Sequence, residues 1–103
     1  MSILLVGGDR LGNIVKRLKE NGFDDIEHIS GRKTKARKIK IPDKTDLVLV
    51  LVDFVEHELT EMIKRQSRKC GVRIAFSKRS WAHMEGSIQE NVREIMNAKR
   101  NCV

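Results

Sequence analysis

Short unbroken apolar runs alternate with longer stretches in which apolar residues recur at helical spacing. Residues 3–6 and 47–52 contain only Ile, Leu and Val, and the second run lies between Asp46 and Asp53. Such short aliphatic runs predict strands that are buried on both faces of a parallel sheet. Residues 23–30 mix apolar and charged positions, which is typical of an edge strand.

Residues 72–76 have a different pattern, because Val72, Ile74 and Phe76 alternate with Arg73 and Ala75. This period of two predicts a fourth strand that is half-buried.

Three segments have the apolar spacing of helices. The apolar positions are Leu11, Ile14, Val15 and Leu18 in the first, Val55, Leu59, Met62 and Ile63 in the second, and Trp81, Met84, Ile88, Val92 and Ile95 in the third. We expect Asp9 to cap the first helix, the second to cover residues 55–70, and Ser80 to cap a third helix over residues 81–98.

The order strand–helix–strand–loop–strand–helix–strand–helix predicts an α/β fold with a four-stranded parallel sheet. The two aliphatic strands belong in the centre, which gives the order 2-1-3-4. Right-handed crossovers then place the first and third helices on one face and the second helix on the other. The result is a small three-layer Rossmann-like or flavodoxin-like domain over residues 1–103, with a basic connection at residues 31–45.

In this order the chain direction across the sheet reverses between strands 1 and 3, so a crevice is expected beyond their carboxyl ends. Loop residues of both strands and of the neighbouring fourth strand converge there. The expected ligand-binding residues are Gly7, Gly8, Asp9, Arg10, Asp53, His57, Ser77, Lys78, Arg79 and Ser80.

Four segments of the sequence are similar to one family. Residues 6–12 (VGGDRLG), 28–33 (HISGRK), 52–57 (VDFVEH) and 76–81 (FSKRSW) resemble the bacterial domain-of-unknown-function family 2325, DUF2325. The resemblance spans residues 2 to about 82. It implies a Rossmann-like domain in the bacterial cytoplasm and carries no activity over to this chain.

The glycine turn only partly matches the dinucleotide-binding pattern GxGxxG. Gly7 and Gly12 occupy its first and third positions, whereas Asp9 replaces the middle glycine. A carboxylate there repels a pyrophosphate, which disfavours a dinucleotide in the usual pose. Two interpretations stay open, namely a turn that binds no ligand and a site for a different ligand contacted by Asp9 and Arg10. The cofactor is unknown.

The chain has 21 Lys and Arg against 14 acidic residues, and its formal net charge is +7 at pH 7. One basic run contains no acidic residue. Its members are candidates for contact with phosphate or nucleic acid, and they are Arg32, Lys33, Lys35, Arg37 and Lys38. Such runs are also commonly solvated. No aromatic residue interrupts this one, which argues against stacking on single-stranded bases.

The leading hypothesis is a cytoplasmic, non-catalytic binding or regulatory module that recognises a nucleotide or a phosphorylated metabolite in the crevice. The alternative is a metal or haem protein, possibly enzymatic, that uses His28 and His57 as ligands. Two cysteines that belong to no CxxC pair argue against a zinc cage.

We also expect a homodimer. One helix covers the second face of the sheet, and the basic connection offers only Ala36, Ile39 and Ile41 as further apolar cover. A sheet face left bare would expose a larger apolar patch than monomers usually tolerate.

Overall fold

The computed structural model describes residues 1–8, 10–30, 40–54 and 57–101. Within these ranges the strands are β1 (Ser2–Val6), β2 (Asp25–Ile29), β3 (Leu47–Leu51) and β4 (Arg73–Ser77), and the helices are α1 (Ile14–Glu20), α2 (His57–Cys70) and α3 (Trp81–Asn101). A 3-10 turn, Val52–Phe54, follows β3.

The four strands form one parallel sheet in the order β2-β1-β3-β4, which confirms the predicted architecture. Leu5 lies between His28 of β2 and Leu49 of β3 in this register. The two aliphatic strands are therefore central, and all five residues of each are buried.

Alternate residues of the central strands supply two separate apolar layers. Leu5 and Leu49 pack with Leu18 of α1 and with Met84 and Ile88 of α3. Because successive side chains of a strand point to opposite faces, the remaining positions face α2. The layer on that side contains Leu4, Val6, Val48 and Val50 together with Leu59, Ile63 and Ile41. The predicted placement of the three helices is confirmed.

The first helix begins later than expected. α1 starts at Ile14 with Asn13 in the N-cap position, so the expectation that Asp9 caps it is wrong. Gly12 has a φ of +55°, a left-handed conformation that a continuous α-helix does not contain. Leu11 is thus a loop residue, although it still packs against the core on that side of the sheet.

The other element bounds differ only slightly from those expected. α3 extends to Asn101 instead of residue 98, and α2 is described from His57 onward, since residues 55 and 56 lie outside the described ranges. Residues 31–39 of the basic connection also lie outside them. Not one of the described helices combines the length and apolar character needed to cross a membrane.

The outer strand β2 is bordered by charge. Lys44 forms ion pairs with Asp25 and, at 3.9 Å, with Glu27 on the face of the sheet that α2 covers. The hydrogen bond to the Asp25 carboxylate, with its charge, raises the pKa of Lys44 above its usual value. This edge of the sheet is a polar one, as the mixed sequence of residues 23–30 predicts.

The other outer strand, β4, is half-buried, but its large apolar residues Ile74 and Phe76 do not lie on the fully buried side. Ala75 and Ser77 are buried on the side of α3, whereas Ile74 is only partly buried and Phe76 is 42% exposed. Arg73, on the Ala75 side, donates to Asn91 and Glu94 of α3. The pattern of two identifies the strand correctly and misleads about which face is covered.

The central strands should dominate the free energy of unfolding. Leu49→Ala removes a fully buried side chain from β3, so we expect a loss of about 2 to 5 kcal/mol, measured by urea denaturation. Val52→Ala, three residues further at a position 45% exposed, should change stability by about 0.5 kcal/mol or less. Similar losses in the two variants would contradict this assignment of the core.

Candidate functional site

The turn that follows β1 lies at the carboxyl edge of the sheet. Gly7 and Gly8 are buried and have φ values of +112° and +72°, which are unfavourable for residues with a side chain. The backbone N–H of Gly7 donates to the carbonyl of Ile29, the last residue of β2, at 2.8 Å. The hydrogen bonding to β2 therefore continues one residue beyond the end of β1. The glycines therefore hold the chain close to the end of β2 as it leaves the sheet.

Arg79 joins this turn to the loop after β4. Its guanidinium donates a hydrogen bond to the backbone carbonyl of Arg10. Its Cδ and Nε lie 3.6 Å from the point where a Cβ on Gly8 would be, and the same point is 3.8 Å from Leu51 Cδ1 at the end of β3. Since β3 separates β1 from β4, the Arg79 side chain spans the end of the central strand.

The loop that carries Arg79 is held by its own hydrogen bonds. The Ser77 hydroxyl donates to the Lys78 carbonyl at 3.0 Å, and the Ser80 N–H donates to the same carbonyl at 2.8 Å. The Ser80 carbonyl in turn accepts from His83 and Met84, which places Ser80 at the start of α3 as predicted. The first N–H groups of α3 thus face the carboxyl edge, and such groups have no partner within their own helix.

His28 reaches the same edge from β2. Its Nε2 lies 2.9 Å from the carbonyl oxygen of Gly7. A carbonyl oxygen only accepts, so Nε2 carries the hydrogen and the neutral ring keeps its lone pair on Nδ1. A metal or haem bond through Nε2, as the alternative hypothesis allows, requires this hydrogen bond to break.

Asp53 and His57 follow β3, and both side chains are exposed. Asp53 lies in the 3-10 turn, and His57 is the first described residue of α2. They leave the sheet at the same edge as Arg79, because all strands are parallel. Whether they share a ligand with Arg79 remains a prediction.

Some of the predicted site residues fall outside the described ranges. They are Asp9 of the glycine turn and Arg32, Lys33, Lys35, Arg37 and Lys38 of the basic connection. Within the described ranges, no three side chains of His, Cys, Asp or Glu come together in a way that suits a metal ion.

Of the predicted residues, the structure brings Gly8, Arg10 and Arg79 into contact, and it joins His28 to Gly7. The sequence predicts that these loops lie at one edge, but it predicts neither of these two contacts. In the sequence, the only indication of the contact between Arg79 and the glycine turn is that a basic residue lies two positions after a predicted strand. The resulting surface offers cations and backbone donors, a chemistry that suits anions.

The matching family agrees with the motifs at this edge. Residues 2–91 match the family DUF2325, described as an uncharacterized protein conserved in bacteria. The chain belongs to the DUF2325 family. Among curated proteins and solved structures, no match to the chain was found. The glycine turn, His28, Asp53 and the Ser77–Ser80 loop all lie inside the part of the chain that matches DUF2325.

The backbone at Gly8 should be the part of the turn most sensitive to a side chain. Gly8→Ala imposes a left-handed conformation on an alanine, which costs about 1 to 2 kcal/mol of stability, although the added Cβ meets only ordinary contacts. Gly86→Ala, in α3 with open space around it, should instead stabilise the protein by about 0.5 to 1 kcal/mol. Urea denaturation of both variants measures the difference, and two changes of the same sign would contradict it.

Proposed function

We propose that this DUF2325 domain binds an anionic ligand at the carboxyl edge of its sheet, as a binding or regulatory module. The observation that carries the proposal is the position of Arg79, whose side chain lies over Gly8 and donates to the carbonyl of Arg10. A guanidinium has five N–H donors in a fixed planar arrangement. A phosphate or carboxylate that enters the crevice matches this arrangement, because such a group can accept two parallel hydrogen bonds from one guanidinium.

The charge around the site favours the binding of an anion. Among the described residues of the predicted site, Arg10, Lys78 and Arg79 are cations and Asp53 is an acid. The N-terminus of α3 adds partial positive charge, and the chain as a whole carries a formal charge of +7. This field raises the local concentration of anions before any contact forms.

The ligand class that we propose is a nucleotide or a phosphorylated metabolite. Arg79 and the N-terminus of α3 supply donors of the kind from which phosphate oxygens accept hydrogen bonds. Asp9 replaces the glycine that a dinucleotide pyrophosphate requires, so the proposal does not extend to a dinucleotide in the usual pose.

We place this function in the bacterial cytoplasm and in a homodimer. The cytoplasmic part of the proposal rests on Cys70, which is an exposed free thiol. Free thiols persist in a reducing compartment, whereas oxidising compartments favour disulfides.

Replacing Arg79 should weaken anion binding specifically. Isothermal titration with inorganic pyrophosphate and with adenosine triphosphate should show affinities about 10- to 100-fold lower for Arg79→Gln, because a hydrogen bond to a charged group is lost. Arg93→Gln makes the same charge change at an exposed position further along α3 and should have little effect.

Several results would contradict the proposal. They are equal losses in the two variants, no binding of either probe by the parent protein, or one metal ion or haem per chain in the purified protein.

A second, independent test concerns the basic connection. If residues 32–38 contact nucleic acid, replacing Arg32, Lys33, Arg37 and Lys38 by Gln should make the negative slope of log K against log salt concentration shallower by about 3 to 4 units on duplex DNA. A variant of equal charge carries Gln at exposed positions elsewhere, Lys16, Lys19, Arg65 and Arg93. An unchanged slope in the first variant, or the same change in both, would leave this segment without a nucleic-acid role.

A further inference from the structure

The surface beside β4 is apolar and open. Val72, Ile74 and Phe76 form one wall of a groove of about 440 Å³, and Lys64 and Arg68 of α2 form the other. The Lys64 ammonium lies 5.3 Å from the centre of the Phe76 ring. No described residue pairs with the outer side of β4, so half of its backbone N–H and C=O groups have no strand partner among the described residues.

The two edges of the sheet have opposite chemistry. The β2 edge carries charged residues that are paired with Lys44, an arrangement that discourages a further strand. On the same face of the sheet, the β4 edge presents Ile74 and Phe76, and the large apolar side chain of Phe76 is 42% exposed. An open apolar edge strand favours pairing with another strand.

We propose that β4 pairs with β4 of a second copy of this chain, antiparallel about a two-fold axis near Ala75. This interface is independent of the proposed anion site. Antiparallel pairing about residue 75 sets residue 74 of one copy opposite residue 76 of the other. Each Ile74 then packs against Phe76 of the partner subunit, so the apolar strip is complementary to itself, as a two-fold interface requires.

Charge on α2 is complementary under the same operation. Glu58 and Glu61 lie in the first half of the helix, and Lys64, Arg65, Arg68 and Lys69 lie in the second half. The two-fold axis makes the two copies of α2 antiparallel, which sets the acidic half of one beside the basic half of the other. Arg68 forms no ion pair with any described acidic residue. Glu61 pairs with Lys64 of its own chain at 3.4 Å, which places it on the groove side of α2, and we expect Glu61 of the partner subunit to pair with Arg68 across the two-fold axis.

Pairing through β4 would also increase the buried surface of a small domain. A chain of 103 residues buries a smaller share of its surface than a larger protein does. Joining two four-stranded sheets at β4 would cover Ile74 and Phe76 of both copies in one continuous sheet.

Light scattering with size-exclusion chromatography tests the interface at micromolar concentration. We expect about twice the 11.8 kDa mass of the chain for the parent protein and a mass near that of one chain for Phe76→Gln. Met96→Gln, which replaces another exposed apolar residue on α3, should remain dimeric. A parent protein that is monomeric, or a dimer that Phe76→Gln leaves intact, would overturn the proposal.

Charge reversal tests the helix contact, with circular dichroism as the check on folding. Arg68→Glu should raise the dimer dissociation constant about tenfold, and adding Glu61→Arg should restore most of the affinity. Arg65→Glu, at an exposed position on the side of α2 away from the core, should have little effect. Equal effects of Arg65→Glu and Arg68→Glu would argue against antiparallel α2 helices at the interface.

Hydrogen exchange of the unmodified protein gives a measurement that needs no variant. Amides of residues 73–77 should exchange more slowly as concentration rises through the dimer range. Concentration-dependent protection elsewhere, with β4 unchanged, would place the interface on another surface.

Discussion

Burial of β1 and β3 on both faces is the constraint on which the rest of the architecture depends. All ten residues of these strands are buried, so helices must pack on both sides of the sheet. α1 and α3 cover one side and α2 covers the other. Because crossovers between parallel strands are right-handed, this division of helices fixes the strand order. Because the four strands are parallel, each strand-to-helix connection begins at the carboxyl edge.

The candidate site is a product of that topology more than of any local motif. Arg10 and Arg79 are 69 positions apart in the sequence, and they meet because the loops after β1 and β4 leave the same edge on either side of β3. Only a long side chain spans the end of the intervening strand. Position 8 favours glycine because its φ of +72° is unfavourable for a residue with a side chain, whereas an added Cβ would meet Arg79 and Leu51 only at ordinary contact distances.

The parts of this fold that could be predicted from sequence are those that depend on hydrophobic burial. The runs at residues 3–6 and 47–52 indicate the central strands, and the order of elements then gives the sheet. The start of α1 could not be predicted, because Leu11 has the spacing of a helical residue while Gly12 adopts a left-handed conformation. The bond from His28 to Gly7 depends on the register of β2 against β1, which no local pattern of the sequence encodes.

β4 shows why alternation alone does not identify the buried face of an edge strand. Arg73 is on the α3 side because Asn91 and Glu94 accept its hydrogen bonds there, and its polar end remains at the surface. Ile74 and Phe76 face the side where α2 packs against β1 and β3, so the helix covers them only in part. β4 therefore carries more apolar side chains than the core of a single chain buries. A single helix cannot cover four strands, and a surface left apolar for that reason is energetically unfavourable until other apolar side chains contact it.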